Sequence, residues 1–129
     1  MRAISLTLTA FVLSGILAAQ QPAFKRTVLQ QSEISVAGRE AITAVGEFEP
    51  GATPGRRTHF GEEIGYVLEG TLLVEQDGKA PVTLKAGGTF LIPAGTIHNA
   101  TNTGTSNARI LATYIVEKGK PLATPAAIK

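Results

Sequence analysis

The chain contains two histidines, His59 and His98. Each lies in a glycine-rich block with strand-like composition. The first block runs from Gly51 to Gly70 and carries Glu63 four residues after His59. The second runs from Gly87 to Asn102, where His98 follows the tight sequence Pro93-Ala94-Gly95. Imidazole and carboxylate are common ligands of first-row transition metals, and two histidines with one carboxylate form a known ligand set with open positions. His59, Glu63 and His98 are therefore candidate metal ligands if the fold brings them to one point. The plainer alternative makes them ordinary polar residues on strand faces, with Glu62 and Glu63 a solvated pair. The similar turn-flanked settings of the two histidines, with an acidic pair after the first, favour a shared site.

Spacing sets the geometric demand. Four residues of straight strand span about 13 Å, too far for two side chains to reach one ion at roughly 2.1 Å. The strand must bend between His59 and Glu63, and Gly61 is the expected bend. His98 must come from a neighbouring strand, aimed inward by the turn that precedes it.

The elements available for this are strands. Apolar and polar residues alternate over Ile42–Phe48, and Ile64–Leu68, Thr71–Glu75, Thr89–Ile92, Ile97–Thr101 and Arg109–Val116 read as further strands. Asp77-Gly78 signals a hairpin between Thr71–Gln76 and Val82–Lys85. Thr27–Leu29 is a candidate edge strand. No mature segment has sustained helical periodicity, and short strands separated by turn residues indicate an all-β sandwich or barrel. A barrel of this size has room for packing and one small ligand.

With 129 residues the chain is one domain's worth. Charged residues make up 17% and the net charge is +2, with no run of Lys or Arg longer than two. No basic stripe exists for nucleic acid, so nucleic-acid binding is not expected. Cysteine is absent, which excludes disulfides, thiolate chemistry and a lipidated cysteine. Met1-Arg2 is followed by an uncharged apolar stretch to Ala19 and then Gln20-Gln21-Pro22. That is the layout of a secretory signal peptide over residues 1–19, which places the mature protein in the periplasm or outside the cell with no permanent membrane span. Residues 20–35 then form an N-terminal extension or edge strand, 36–118 the barrel, and 119–129 a C-terminal tail.

The two blocks resemble the paired motifs of the cupin superfamily. Gly51, His59, Glu63 and Gly70 fall on positions of the first motif; Gly87, Pro93, Gly95, His98 and Asn102 match the second throughout. The resemblance covers roughly residues 40–118. It implies a small jelly-roll (double-stranded β-helix) barrel with one internal site for a divalent transition metal (Fe, Mn, Ni or Zn), and a homodimer. It departs at one position, where Arg57 stands in place of the first histidine of the first motif. Arginine stays protonated and cannot ligate a metal. By the family pattern this leaves His59, Glu63 and His98.

Two orientations of Arg57 are open. Pointing inward, its planar fork would clamp a carboxylate or phosphate of a substrate. Turning outward, it would leave a weakened site, and the tendency of long cations to reach water favours this orientation. Tyr66 is a second candidate substrate-binding residue. Similarity to small cupins implies dioxygenase, decarboxylase or isomerase chemistry on a small organic molecule. A non-catalytic module for a small ligand or ion is the alternative. A metal-free enzyme using His59 or His98 as base, with Tyr66 or Tyr114 as acid, is a third.

Overall fold

Alternation along the strands builds the molecule. The computed structural model describes residues 15–127. Ten strands follow in chain order: β1 (Phe24–Glu33), β2 (Arg39–Phe48), β3 (Arg57–Thr58), β4 (Gly61–Glu69), β5 (Thr71–Gln76), β6 (Val82–Lys85), β7 (Thr89–Ile92), β8 (His98–Asn102), β9 (Ala108–Glu117) and β10 (Thr124–Pro125). No helix occurs among the described residues. The first fourteen residues, most of the expected signal peptide, lie outside the described residues.

The strands form two five-stranded antiparallel sheets, in the orders β1-β2-β9-β4-β7 and β10-β3-β8-β5-β6. Every second residue of β2 and β9, and of β4 as far as Val67, is buried between them, as expected for sheets with one covered face. The expected hairpin forms, β5 pairing with β6 from Thr71↔Lys85 to Val74↔Val82. The first edge strand is longer than Thr27–Leu29 and pairs with β2 over most of its length.

Buried residues separate by chemistry along the strand direction. Val67, Leu72 and Ile110 pack together at one end of the interior with Phe48 and Ala108. Towards the other end the same inner faces carry Glu63, Tyr114 and His98. The registers set this order, with Val67 opposite Ile110 and Glu63 opposite Tyr114, and Leu72 opposite Asn102 and Gln76 opposite His98.

The chain leaves one sheet and enters the other between His59 and Glu63. Strand β3 belongs to the second sheet and β4 to the first. The bend sits at Phe60, and Gly61 follows it. A side chain at Gly61 would collide with the Ile115 carbonyl of β9, so glycine is required there for close strand approach rather than for an unusual dihedral. Residues 57, 59, 61 and 63 all face inward across this corner.

Candidate metal centre

The sheet-crossing corner turns a separation of several residues into contact. His59 Nε2 lies 3.0 Å from Glu63 Oε2. His98, the first residue of β8, places its Nε2 3.0 Å from the same oxygen and 3.1 Å from His59 Nε2. All three residues are buried. Gly95 shapes the approach to His98, with φ at +71° in the turn, a value that disfavours other residues.

The outer nitrogens of both rings are committed. His98 Nδ1 donates to the Thr96 carbonyl at 2.8 Å, and His59 Nδ1 donates to the Leu122 carbonyl at 2.5 Å. A carbonyl only accepts, so in each neutral ring Nδ1 carries the proton and Nε2 presents a bare lone pair. Two lone pairs and a carboxylate oxygen then converge with no donor between them. Three acceptors at this spacing are mutually unfavourable unless a cation joins them. Two bonds of about 2.1 Å meeting near a right angle place their donor atoms roughly 3 Å apart, so the residues present fit a divalent transition metal.

Burial alone would raise the Glu63 carboxyl. The charge of the Arg57 guanidinium is among the effects that oppose this, and the group lies well below the usual carboxylate range. Glu63 is therefore an anion at any neutral pH, as a ligand must be.

Leu122 is 63 residues from His59 in sequence, and nothing in the sequence marks it. It belongs to the C-terminal tail, which runs back along β3. Thr124 and Pro125 pair with Thr58 and Arg57, and Ala126 N donates to the Arg56 carbonyl at 3.0 Å. Groups that orient metal-ligating histidines are commonly worth 10–100-fold in affinity. A chain ending at Lys118 is thus expected to bind Zn(II) about 10–100-fold more weakly. L122A, which keeps the backbone carbonyl, is expected to bind nearly as the native chain does. Competition titration with a chromogenic chelator checks both.

Arg57 does not turn outward. It is 5% exposed, directly opposite His98 in the β3–β8 pairing. The inward orientation replaces the outward one because residue 57 shares the inward-facing parity of His59 on β3, whose edge is paired with the tail strand β10. The neighbouring Arg56 faces the surface and pairs with Asp77 at 2.9 Å. Arg57 Nη1 donates to the Gly55 carbonyl at 3.1 Å, while Nε is buried without a partner. Desolvation lowers the Arg57 pKa, with Glu63 opposing it.

Tyr66 is corrected as a site residue. It lies three positions beyond Glu63 on a regular strand, so it faces the outer surface and is 46% exposed. Its parity relative to Glu63 carries that information in the sequence already. Tyr114 is the tyrosine at the site, its ring centroid 4.9 Å from that of His59. Burial, with Glu63 adding to it, pushes the Tyr114 phenol up to about 12. Because the folded state holds this proton more tightly than the unfolded chain, stability is full below the ordinary phenol value and falls as pH rises from about 10 to about 12. Denaturant titrations are expected to show this loss, about 2–3 kcal/mol across the window, and to show it diminished in Y114F.

A cavity of about 290 Å³ lined by Arg39, His59, Phe60, Ala94, Gly95 and Glu117 opens to solvent beside His59. Asn102, the last position of the second motif, is structural. Its amide donates to the Phe48 and Ser106 carbonyls at 3.0 and 2.8 Å and accepts from Gly104 N at 2.9 Å, which fastens the loop after β8.

Comparison with known proteins agrees with this architecture. Residues 44–114 match the family described as Cupin domain. The chain belongs to the cupin family. Among solved structures, a cupin superfamily protein from Desulfitobacterium hafniense superimposes with a TM-score of 0.62 at 18% identity, over 78% of this chain and 84% of that one. An oxalate oxidase in complex with the substrate analogue glycolate gives 0.63 at 26% identity, over 78% of this cupin and 54% of that chain. In sequence, the HTH-type transcriptional regulator PuuR of Escherichia coli is 38% identical over 68 residues. That match spans 52% of this chain and about a third (36%) of the regulator. The helix-turn-helix in the regulator's name has no counterpart among the described residues of this cupin, which contain no helix.

Proposed function

We propose that this cupin is a periplasmic or secreted protein that binds one divalent transition metal through His59, Glu63 and His98 and acts on a small organic molecule there. One observation carries the reading: two imidazole lone pairs and a carboxylate oxygen converge within 3.1 Å, buried, with both outer ring nitrogens already engaged. The metal would be Fe, Mn, Ni or Zn; when bound it supplies a Lewis acid and open positions for oxygen donors. The chain's own residues do the rest. The Thr96 and Leu122 carbonyls fix the two rings. Tyr114 stays protonated beside them and can donate a hydrogen bond without becoming a base. Arg57 offers an unsatisfied donor inside the barrel.

The reaction classes that suit this arrangement are dioxygenation, decarboxylation and isomerisation. The likeness to an oxalate oxidase holding glycolate favours a small organic acid as substrate. The second reading is a non-catalytic binding cupin, favoured by the guanidinium in place of a family ligand. A second copy of the chain would pair through the outer face of the first sheet, where Ile64, Tyr66, Leu68 and Leu91 are exposed.

Metal analysis of protein produced without a histidine tag tests the proposal, followed by oxygen-uptake and carbon dioxide-release assays on small organic acids. One transition metal per chain with turnover supports the enzyme. Metal without turnover supports the binding module, and no metal uptake ends the proposal.

A further inference from the structure

The two ligand imidazoles have anchors of different kinds. His98 Nδ1 donates to the Thr96 carbonyl, two residues away on its own loop. His59 Nδ1 donates to the Leu122 carbonyl, on a segment that can leave. The tail departs from β9 in the first sheet, turns at Gly119, where φ is +80°, and ends as β10 on the edge of the second sheet. It therefore crosses from one sheet to the other. On the way it borders the opening beside His59, with Lys120 Nζ 5.4 Å from the centre of the Phe60 ring, one wall of that opening. Little holds it in place. Most of residues 118–127 are exposed. Strand β10 has two residues, paired with β3, and Ala126 N donates to the Arg56 carbonyl. A segment with so few buried contacts opens locally while the rest of the fold stays intact.

His59 couples this segment to the metal centre. Its two nitrogens sit on one rigid ring, Nδ1 bound to the tail and Nε2 facing Glu63 and His98. With Nε2 uncoordinated, it faces two other acceptors. Rotating the ring relieves that contact only by pulling Nδ1 off the Leu122 carbonyl. With Nε2 coordinated, the ring is fixed and its outer N–H stays aimed at the tail. Release of His59 from an ion needs the same rotation, so a docked tail opposes it. The coupling is reciprocal. Whatever factor the docked tail adds to metal affinity, metal occupancy adds to the docking of the tail.

We propose that residues 118–127 form a metal-responsive strap, held on β3 when the His59–Glu63–His98 site is filled, slowing loss of the ion while docked, and loosening when the site is empty. This rests on the metal-centre reading. His59 is the link, and Leu122 is a positioning residue that acts through its backbone carbonyl. Loosening uncovers the β3 edge at Arg57 and Thr58, so occupancy of a buried site is displayed at the surface.

The test is hydrogen exchange, read by mass spectrometry, on the full chain with and without Zn(II), with metal uptake measured on the same samples. Zn(II) is expected to slow exchange in peptides covering residues 118–127 by about ten-fold or more. Strand β6 is the control, since it is also exposed and lies on the opposite edge of the same sheet; its exchange is expected to change far less. A126P removes the N–H given to Arg56 and leaves every metal ligand in place. Loss of that one hydrogen bond is expected to make the chain shed Zn(II) to a chelator about five-fold faster. Zn(II) uptake with unchanged exchange in the tail, equal slowing in the tail and β6, or an unchanged rate of Zn(II) loss in A126P overturns the strap and leaves the metal centre standing. Absence of Zn(II) uptake overturns the metal-centre reading and the strap together.

Discussion

Replacing Glu63 with glutamine is expected to abolish metal binding while leaving the metal-free protein at least as stable as before. The carboxylate oxygen sits 3.0 Å from each Nε2 and supplies the one negative charge of the ligand set. Its loss is expected to weaken metal affinity about 1,000-fold or more, roughly 4 kcal/mol. The metal-free effect runs the other way. A glutamine amide brings two N–H donors, and two imidazole lone pairs lie within their reach. The variant exchanges three converging acceptors for a satisfied hydrogen-bond set. A purely structural role gives the opposite sign, because breaking a buried ion pair costs about 3–5 kcal/mol. Thermal melts of E63Q and native protein, each with and without added Zn(II), separate the two. A metal-dependent rise in Tm in the native chain alone, with metal-free E63Q melting no lower, is the expected pattern. A large drop in metal-free E63Q would make Glu63 a structural ion-pair partner.

Arg57→His is expected to strengthen metal binding by about 100-fold, close to 2.7 kcal/mol. Position 57 faces inward opposite His98 and shares the inward parity of His59, so an imidazole there starts on the correct side of the strand. Two effects act together: a buried positive charge is removed from beside the ion, and a neutral nitrogen ligand is added. Competition titration under anion-free conditions measures the gain. An unchanged affinity would mean that position 57 does not sense the ion.

Much of this was legible before any fold was known. Alternation of period two identified most of the strands, because burial on one face of a sheet imposes that pattern directly. The resemblance to cupins rested on motif positions of which the structure brings His59, Glu63 and His98 to one interior point. Parity also held information that the sequence reading did not use. Residues 57, 59 and 63 share a face, and Tyr66 lies on the other, which alone argues for Arg57 inside and Tyr66 outside. The preference of a long cation for water overrode that signal, and here parity was the stronger influence.

Composition and spacing by themselves determined the fold class and the candidate ligands, because those follow from residue type and from contacts a few positions apart. Tertiary structure alone decided that the expected bend is a change of sheets at Phe60, which draws His59 onto Glu63. It alone decided that the tail pairs with β3 beside Arg57 and lends the Leu122 carbonyl to His59. Each of these depends on segments tens of residues apart being packed together. No local pattern encodes such a pairing, since its energy arises only when both partners have already been placed.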